Sequence, residues 1–129
     1  MDYNLEQVQR AQQQTYAALQ ANPDIKGIFG TNNWSTQGAY QAIVAAGMTG
    51  SVKLAGWDAT EEVIGALKGG QLDLVLAQKP REMGSLCVEW GYKFFKEGAE
   101  IPKQVIPGFE FFTQDNVDDP DMQKWIYGK

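Results

Sequence analysis

Three short apolar runs recur along the chain, Ile25 to Phe29, Val52 to Ala55 and Leu72 to Ala77, and the segments between them place apolar residues three and four apart. That alternation predicts β-α-β-α-β, in which strands joined through helices run parallel. A helix over about Leu5 to Gln20 precedes the first strand, with Leu5, Val8, Gln12, Tyr16 and Leu19 on one stripe. Asn4 followed by Gln7 reads as its N-cap and capping-box partner. Asn22-Pro23 stops the helix, because proline disfavours the α conformation in the residue before it. The second helix turns Ala39, Tyr40, Ile43 and Val44 inward and ends at Gly47. The third starts at Thr60, an N-cap followed by Glu61 and Glu62, whose charges suit the positive end of the helix dipole, and closes at Gly69-Gly70. Leu72 to Ala77 alternates less and reads as buried on both faces, as an interior parallel strand is.

Beyond that strand Pro80 opens a fourth helix, whose stripe of Met83, Cys87, Trp90 and Phe94 is heavy enough to need a large apolar partner surface. Cys87 on that face reads as a buried thiol without chemistry. Gly98 ends the helix. The remainder, from Ile101 onward, is richer in proline, with a strand expected at Phe109 to Thr113 and an acidic tail, Asp115 to Asp121, read as a surface strap before Trp125.

A polar residue stands just past each of the three runs: Asn32, Asp58 and Gln78. Right-handed crossovers bring the carboxyl ends of parallel strands to one edge, where open α/β sheets bind their ligands. A carboxylate and two amides therefore converge on one rim, a set that both accepts and donates hydrogen bonds to a small polyhydroxylated molecule. Trp34 and Trp57 flank two of these residues and offer flat apolar faces to the C–H groups of such a molecule, or else belong to the core. Plainer roles stay open for the polar three. Asp58 is placed to cap the third helix, although Thr60 is better placed; Asn32 and Asn33 suit an ordinary turn; Gln78 suits a strand-end backbone group.

Composition narrows the function. With 129 residues, 43% of them hydrophobic, the chain supports one core and one domain. A net charge of -5 without a basic cluster argues against nucleic acid and anionic membrane surfaces. No histidine and a single cysteine exclude His-based catalysis, ordinary zinc sites and an internal disulfide. No cofactor is implied, and without a paired general acid and base the chain reads as a binding protein rather than an enzyme. No apolar stretch approaches bilayer length, and the polar start Met1-Asp2-Tyr3-Asn4 is no signal peptide.

The segments Ile28-Phe29-Gly30-Thr31-Asn32-Asn33, Leu54-Ala55-Gly56-Trp57-Asp58-Ala59-Thr60 and Leu76-Ala77-Gln78-Lys79-Pro80 resemble the C-terminal half of ribose-type periplasmic sugar-binding proteins. The same fold serves as the effector domain of lactose-repressor-type regulators. The resemblance implies an α/β, three-layer, Rossmann-like lobe of a type I periplasmic-binding-protein fold, here incomplete. It implies that residues 1–79 form part of the C-terminal sugar-binding lobe. Residues 80–129 would supply a crossover helix, a hinge and strand segment and the tail. Asn32, Asp58 and Gln78 would be sugar contacts. The ligand would be a pentose or hexose delivered to an ABC transporter permease, and the parent protein would be periplasmic or extracytoplasmic. The family's N-terminal lobe and first C-lobe strands have no counterpart in this sequence, so the expected partner is that missing half or a second copy of the chain. The leading alternative is the effector domain of a regulator. A phosphoacceptor receiver domain would need an acidic cluster that Thr31-Asn32-Asn33 does not offer.

Overall fold

A computed structural model describes residues 3–128. The elements are α1 (Val8–Ala21), β1 (Gly27–Phe29), α2 (Asn33–Ala45), β2 (Lys53–Trp57), α3 (Glu61–Lys68), β3 (Leu74–Ala77), α4 (Pro80–Glu97), β4 (Glu110–Phe112) and the short α5 (Pro120–Gln123). The sheet order is β1-β2-β3-β4. The first three strands are parallel, with Phe29 beside Ala55 and Trp57 beside Leu76. β4, a strand expected from the sequence without a direction, runs antiparallel to β3, with Leu76 beside Phe111. The cause is connectivity. α4 does not cross back along the sheet, so the chain re-enters at the rim and must run away from it.

The covered face is built from Leu54, Val75, Ala77 and Phe112, packed with Ile43 of α2 and Val63 and Leu67 of α3 into one buried cluster. Burying each of the larger side chains contributes roughly 1.5 to 3 kcal/mol. Gly56 is needed on that face because a Cβ there would sit 2.4 Å from Thr36 Cγ2. On the opposite face lie Phe29, Trp57, Leu76 and Phe111, which are half-buried or exposed. β3 is therefore interior, as expected, but Leu74 and Leu76 are only half-buried, so it is not buried on both faces. In α2 Ala39 and Ile43 turn inward as expected, but Val44 is exposed and Ala42 is buried.

α1 begins three residues later than expected. Asn4 is not its cap: the side-chain oxygen accepts the Glu6 N–H at 2.8 Å, and the amide nitrogen donates to Ser35 Oγ at 2.7 Å. Leu5 and Glu6 adopt positive φ, which interrupts any helix there. The expected stripe is also displaced, since Ala11 and Leu19 are the residues α1 buries while Leu5 and Tyr16 are exposed. Gly38 on α2 explains this. A Cβ there would lie 2.4 Å from Ala11 Cβ and 2.6 Å from Gln12 N, so the two helices meet backbone to backbone and small residues set the contact.

The tail does more than strap the surface. Val117 and Ile126 enter the core cluster, Gln114 Nε2 donates to the Leu67 carbonyl at 3.2 Å at the end of α3, and Tyr127 N donates to the Ala59 carbonyl at 2.9 Å. α4 is the opposite case. It ends at Gly98 in the left-handed conformation, as expected, yet buries none of its residues. Cys87 is exposed, contrary to the expectation of a buried thiol, because no layer of the fold lies over the stripe it belongs to. Phe95 and Val88 are 81% and 75% exposed. Met83, Leu86, Trp90, Ile101, Val105 and Pro107 enclose an apolar groove of about 420 Å³ between α4 and the returning chain. Where the arm leaves and re-enters the sheet, Lys79 Nζ pairs with Glu110 Oε1 at 2.8 Å. Among the described residues no helix is long and apolar enough to cross a membrane.

Candidate functional site

The loops after β1, β2 and β3 meet at one edge. Gly30 opens the first, and a Cβ there would fall 2.5 Å from Thr36 Oγ1, so glycine is required. The buried Thr36 hydroxyl donates to the Asn32 carbonyl at 2.8 Å and accepts the Trp57 N–H at 3.1 Å, tying the first loop to the end of β2. Asn32 caps α2: its Oδ1 accepts the Ser35 N–H at 2.8 Å. That leaves the Asn32 amide NH2 group unengaged among the described residues. The neighbouring Asn33 Oδ1 accepts from Gln37 Nε2 at 3.0 Å and from Thr60 Oγ1 at 3.1 Å, which joins the start of α2 to the start of α3. Thr60, not Asp58, caps α3, its side chain accepting the Val63 N–H.

Asp58 is thus free of capping duty. Its φ is 71°, a left-handed conformation that aspartate tolerates better than most residues and that cores rarely retain without a reason. Its backbone N–H donates to the Leu76 carbonyl at 2.9 Å, locking the loop against β3. The carboxylate Oδ1 accepts from Gln78 Nε2 at 2.9 Å. Two of the three polar residues expected at the rim are therefore in direct contact. With Oδ1 engaged, Asp58 Oδ2, Gln78 Oε1, the second Nε2–H of Gln78 and the Asn32 amide are what this edge has left to offer a ligand.

A residue that sequence reasoning missed completes the pair. Tyr127 Oη accepts the Gln78 backbone N–H at 2.8 Å and lies 3.3 Å from the Gln78 carbonyl and 3.5 Å from Asp58 Oδ1. Burial, opposed by the Gln78 N–H and reinforced by the Asp58 charge, pushes its pKa up to about 12, so the phenol keeps its proton. No local signal marks it, since it stands 49 residues from Gln78. Thr36 was missed as well; a threonine inside a helix carries no sign that its hydroxyl bridges two loops.

The two tryptophans part company. Trp57 is half-buried at the end of β2, edge-on to Phe29 at 6.0 Å and to Phe109 at 6.1 Å, so three rings form an aromatic patch on the open face beside the rim. Trp34, in the first turn of α2, is 39% exposed and makes no ring contact with that patch. On the far side of Gln78 a cavity of about 320 Å³ lies between Lys79, Pro80, Arg81 and the tail residues Trp125 and Tyr127, with the Lys79 ammonium 4.4 Å from the Trp125 ring centre. Among the described residues no group of three or more metal-ligating side chains gathers.

Residues 2–99 match the family described as a periplasmic binding protein domain. Over 92 residues the chain is 34% identical to the D-allose-binding periplasmic protein of Escherichia coli K12, covering 71% of this chain and 30% of that protein. An ABC transporter solute-binding protein from Agrobacterium vitis, bound with α-D-tagatopyranose, superposes with a TM-score of 0.90 at 33% identity, over 99% of this chain and 43% of its own. A second from the same organism, with bound D-fucose, gives 0.84 at 30% identity, over 98% and 43%. The chain spans about three tenths of the length of the curated relatives it matches and about two fifths of the solved ones.

Proposed function

Because this chain belongs to the periplasmic binding protein domain family, we propose that it forms the C-terminal ligand-binding lobe of a solute-binding protein that holds a monosaccharide and delivers it to an ABC transporter. The observation that carries this is the Asp58–Gln78 pair, joined at 2.9 Å on the carboxyl edge of three parallel strands, with acceptors and donors left unengaged. An ionised carboxylate accepts from adjacent sugar hydroxyls while the amides of Gln78 and Asn32 donate, so the trio reads hydroxyl orientation. Trp57 supplies the apolar wall and Trp34 an outer edge.

The relatives named for sugars and transport favour this reading over the effector domain of a transcription regulator, and none is named as an enzyme. The parent protein works in the periplasm or an equivalent space. A complementary lobe supplies the remaining contacts, and hinge closure excludes water from them. Residues 1–79 carry Asn32, Asp58 and Gln78, and residues 80–129 carry the arm that reaches the other lobe and the tail that brings Tyr127 to the rim. A single lobe makes only a few solvent-exposed hydrogen bonds of roughly 0.5 to 1.5 kcal/mol each, so by itself it binds sugar no better than millimolar.

Calorimetry on the protein at its full encoded length, with D-allose, D-ribose, D-tagatose, D-fucose and D-arabinose, tests the proposal. At least one sugar is expected to bind, and Asp58→Ala should weaken it by about ten- to a hundredfold. The reading is wrong if no sugar in the panel binds, or if Asp58→Ala binds as well as the unaltered protein at unchanged stability.

A further inference from the structure

We propose that Tyr127 is a positioning residue of the sugar site, a clamp from the chain's tail that fixes the Asp58–Gln78 pair in the orientation the ligand meets. The inference rests on the sugar-binding reading and deepens it. Three observations converge on Tyr127. Its main chain is anchored to the loop that follows Asp58, through the 2.9 Å bond from its N–H to the Ala59 carbonyl and a parallel bridge to Thr60. The preceding residue, Ile126, is buried in the core, which holds the tail in place independently of the phenol. The hydroxyl then reaches across to the end of the next strand and accepts the Gln78 N–H at 2.8 Å.

One side chain thus spans the two loops that carry the carboxylate and the amide. The short bond to Gln78 N sets that residue's backbone. The Gln78 carboxamide, held to Asp58 Oδ1 at 2.9 Å, follows from it. The phenol has a single proton, within reach of the Gln78 carbonyl at 3.3 Å and Asp58 Oδ1 at 3.5 Å, so the hydroxyl touches both members of the pair while engaging neither Asp58 Oδ2 nor Gln78 Oε1. Without the hydroxyl a half-buried N–H between two loops loses its acceptor. The amide plane is then free to rotate away from the hydroxyl pattern it reads.

The test uses the protein at its full encoded length, with D-allose and D-tagatose as probes, and compares Tyr127→Phe with Asp58→Ala. Tyr127→Phe keeps the ring and removes one neutral hydrogen-bonding group, so it should weaken binding about three- to tenfold while moving Tm by no more than about 2 °C. It should also shift the side-chain amide ¹H–¹⁵N signals of Gln78, which a tyrosine that merely anchors the tail would leave in place. In the unaltered protein the Gln78 backbone N–H should exchange slowly with solvent. The proposal fails if Tyr127→Phe binds like the unaltered protein while Asp58→Ala still loses tenfold or more. It fails equally if the Gln78 N–H exchanges freely. Should Asp58→Ala also bind normally, the sugar reading falls, and unmoved Gln78 amide signals in Tyr127→Phe would remove the clamp with it, whereas shifted signals would uphold the positioning of the pair.

Discussion

α3 and α4 are both amphipathic, yet α3 buries Val63, Ile64, Ala66 and Leu67 while α4 buries nothing. The difference lies in how each is connected. α3 is the crossover between two adjacent parallel strands, so the chain on either side of it delivers the sheet to its apolar face. α4 departs from the rim at Lys79 and comes back at Glu110, so the same kind of stripe is carried away from the sheet. Amphipathicity states that a helix needs a partner surface. Connectivity decides whether its own chain provides one.

Truncation in the two helices should separate them most sharply. Leu67→Ala removes a fully buried side chain and should destabilise the fold by about 2 to 5 kcal/mol, whereas Phe95→Ala should stay within about 0.5 kcal/mol. Urea unfolding measures both, and equal losses would end the contrast. A smaller effect is expected at the contact between α1 and α2. Gly38→Ala drives a methyl into Ala11 Cβ and the Gln12 backbone, and overpacking there should lower stability by about 1 to 3 kcal/mol with a loss of α1 hydrogen-exchange protection.

The arm yields a test of association rather than of folding. The chain of residues 1–129 should self-associate through the exposed apolar residues of α4 as its concentration rises, and Val88→Glu combined with Phe95→Glu, at its two most exposed apolar positions, should return it to a monomer in light scattering. In the same samples Cys87 should react with a thiol reagent without unfolding, and more slowly once a partner covers the arm.

The smallest effect belongs to the body. At Asp73 desolvation acts upward on the pKa, but the Lys53 hydrogen bond, the Leu54 N–H and the Lys53 charge outweigh it and hold the carboxyl below its usual value. A depressed folded-state pKa stabilises above the unfolded value and is lost as pH falls through the folded one. Asp73→Asn should therefore destabilise by less than about 1 kcal/mol at neutral pH, the pair being largely solvent-screened, and the gap from the unaltered protein should close below about pH 4. A gap that persists in acid would assign the effect to packing.

The body was legible in the sequence because its signals are local. Thr60 with Glu61 and Glu62, the Gly69-Gly70 stop and the three apolar runs each act within a few residues, and each appears in the structure where its chemistry places it. That Asp58 and Gln78 share one edge was legible for a related reason, since parallel strands bring their ends together whatever the intervening helices contain, whereas the bond between them was not. Other features rest on contacts that no window of sequence spans. Asn4 is used by Ser35 rather than by its own helix, and α1 turns a face chosen by Gly38. β4 reverses because α4 fails to cross the sheet, and Tyr127 reaches Gln78 from the end of the chain.

The tail also gives the rim a property that its polar residues lack. Tyr127 stands at the rim only in molecules whose last turn is docked, with Val117 and Ile126 seated in the core. Binding competence then becomes a population: when a fraction of molecules holds the clamp in place, apparent affinity scales with that fraction. Ile126, buried in the core, would then set affinity through how firmly that turn is seated. On the proposed reading, the docking of that last turn tunes the site without altering Asn32, Asp58 or Gln78.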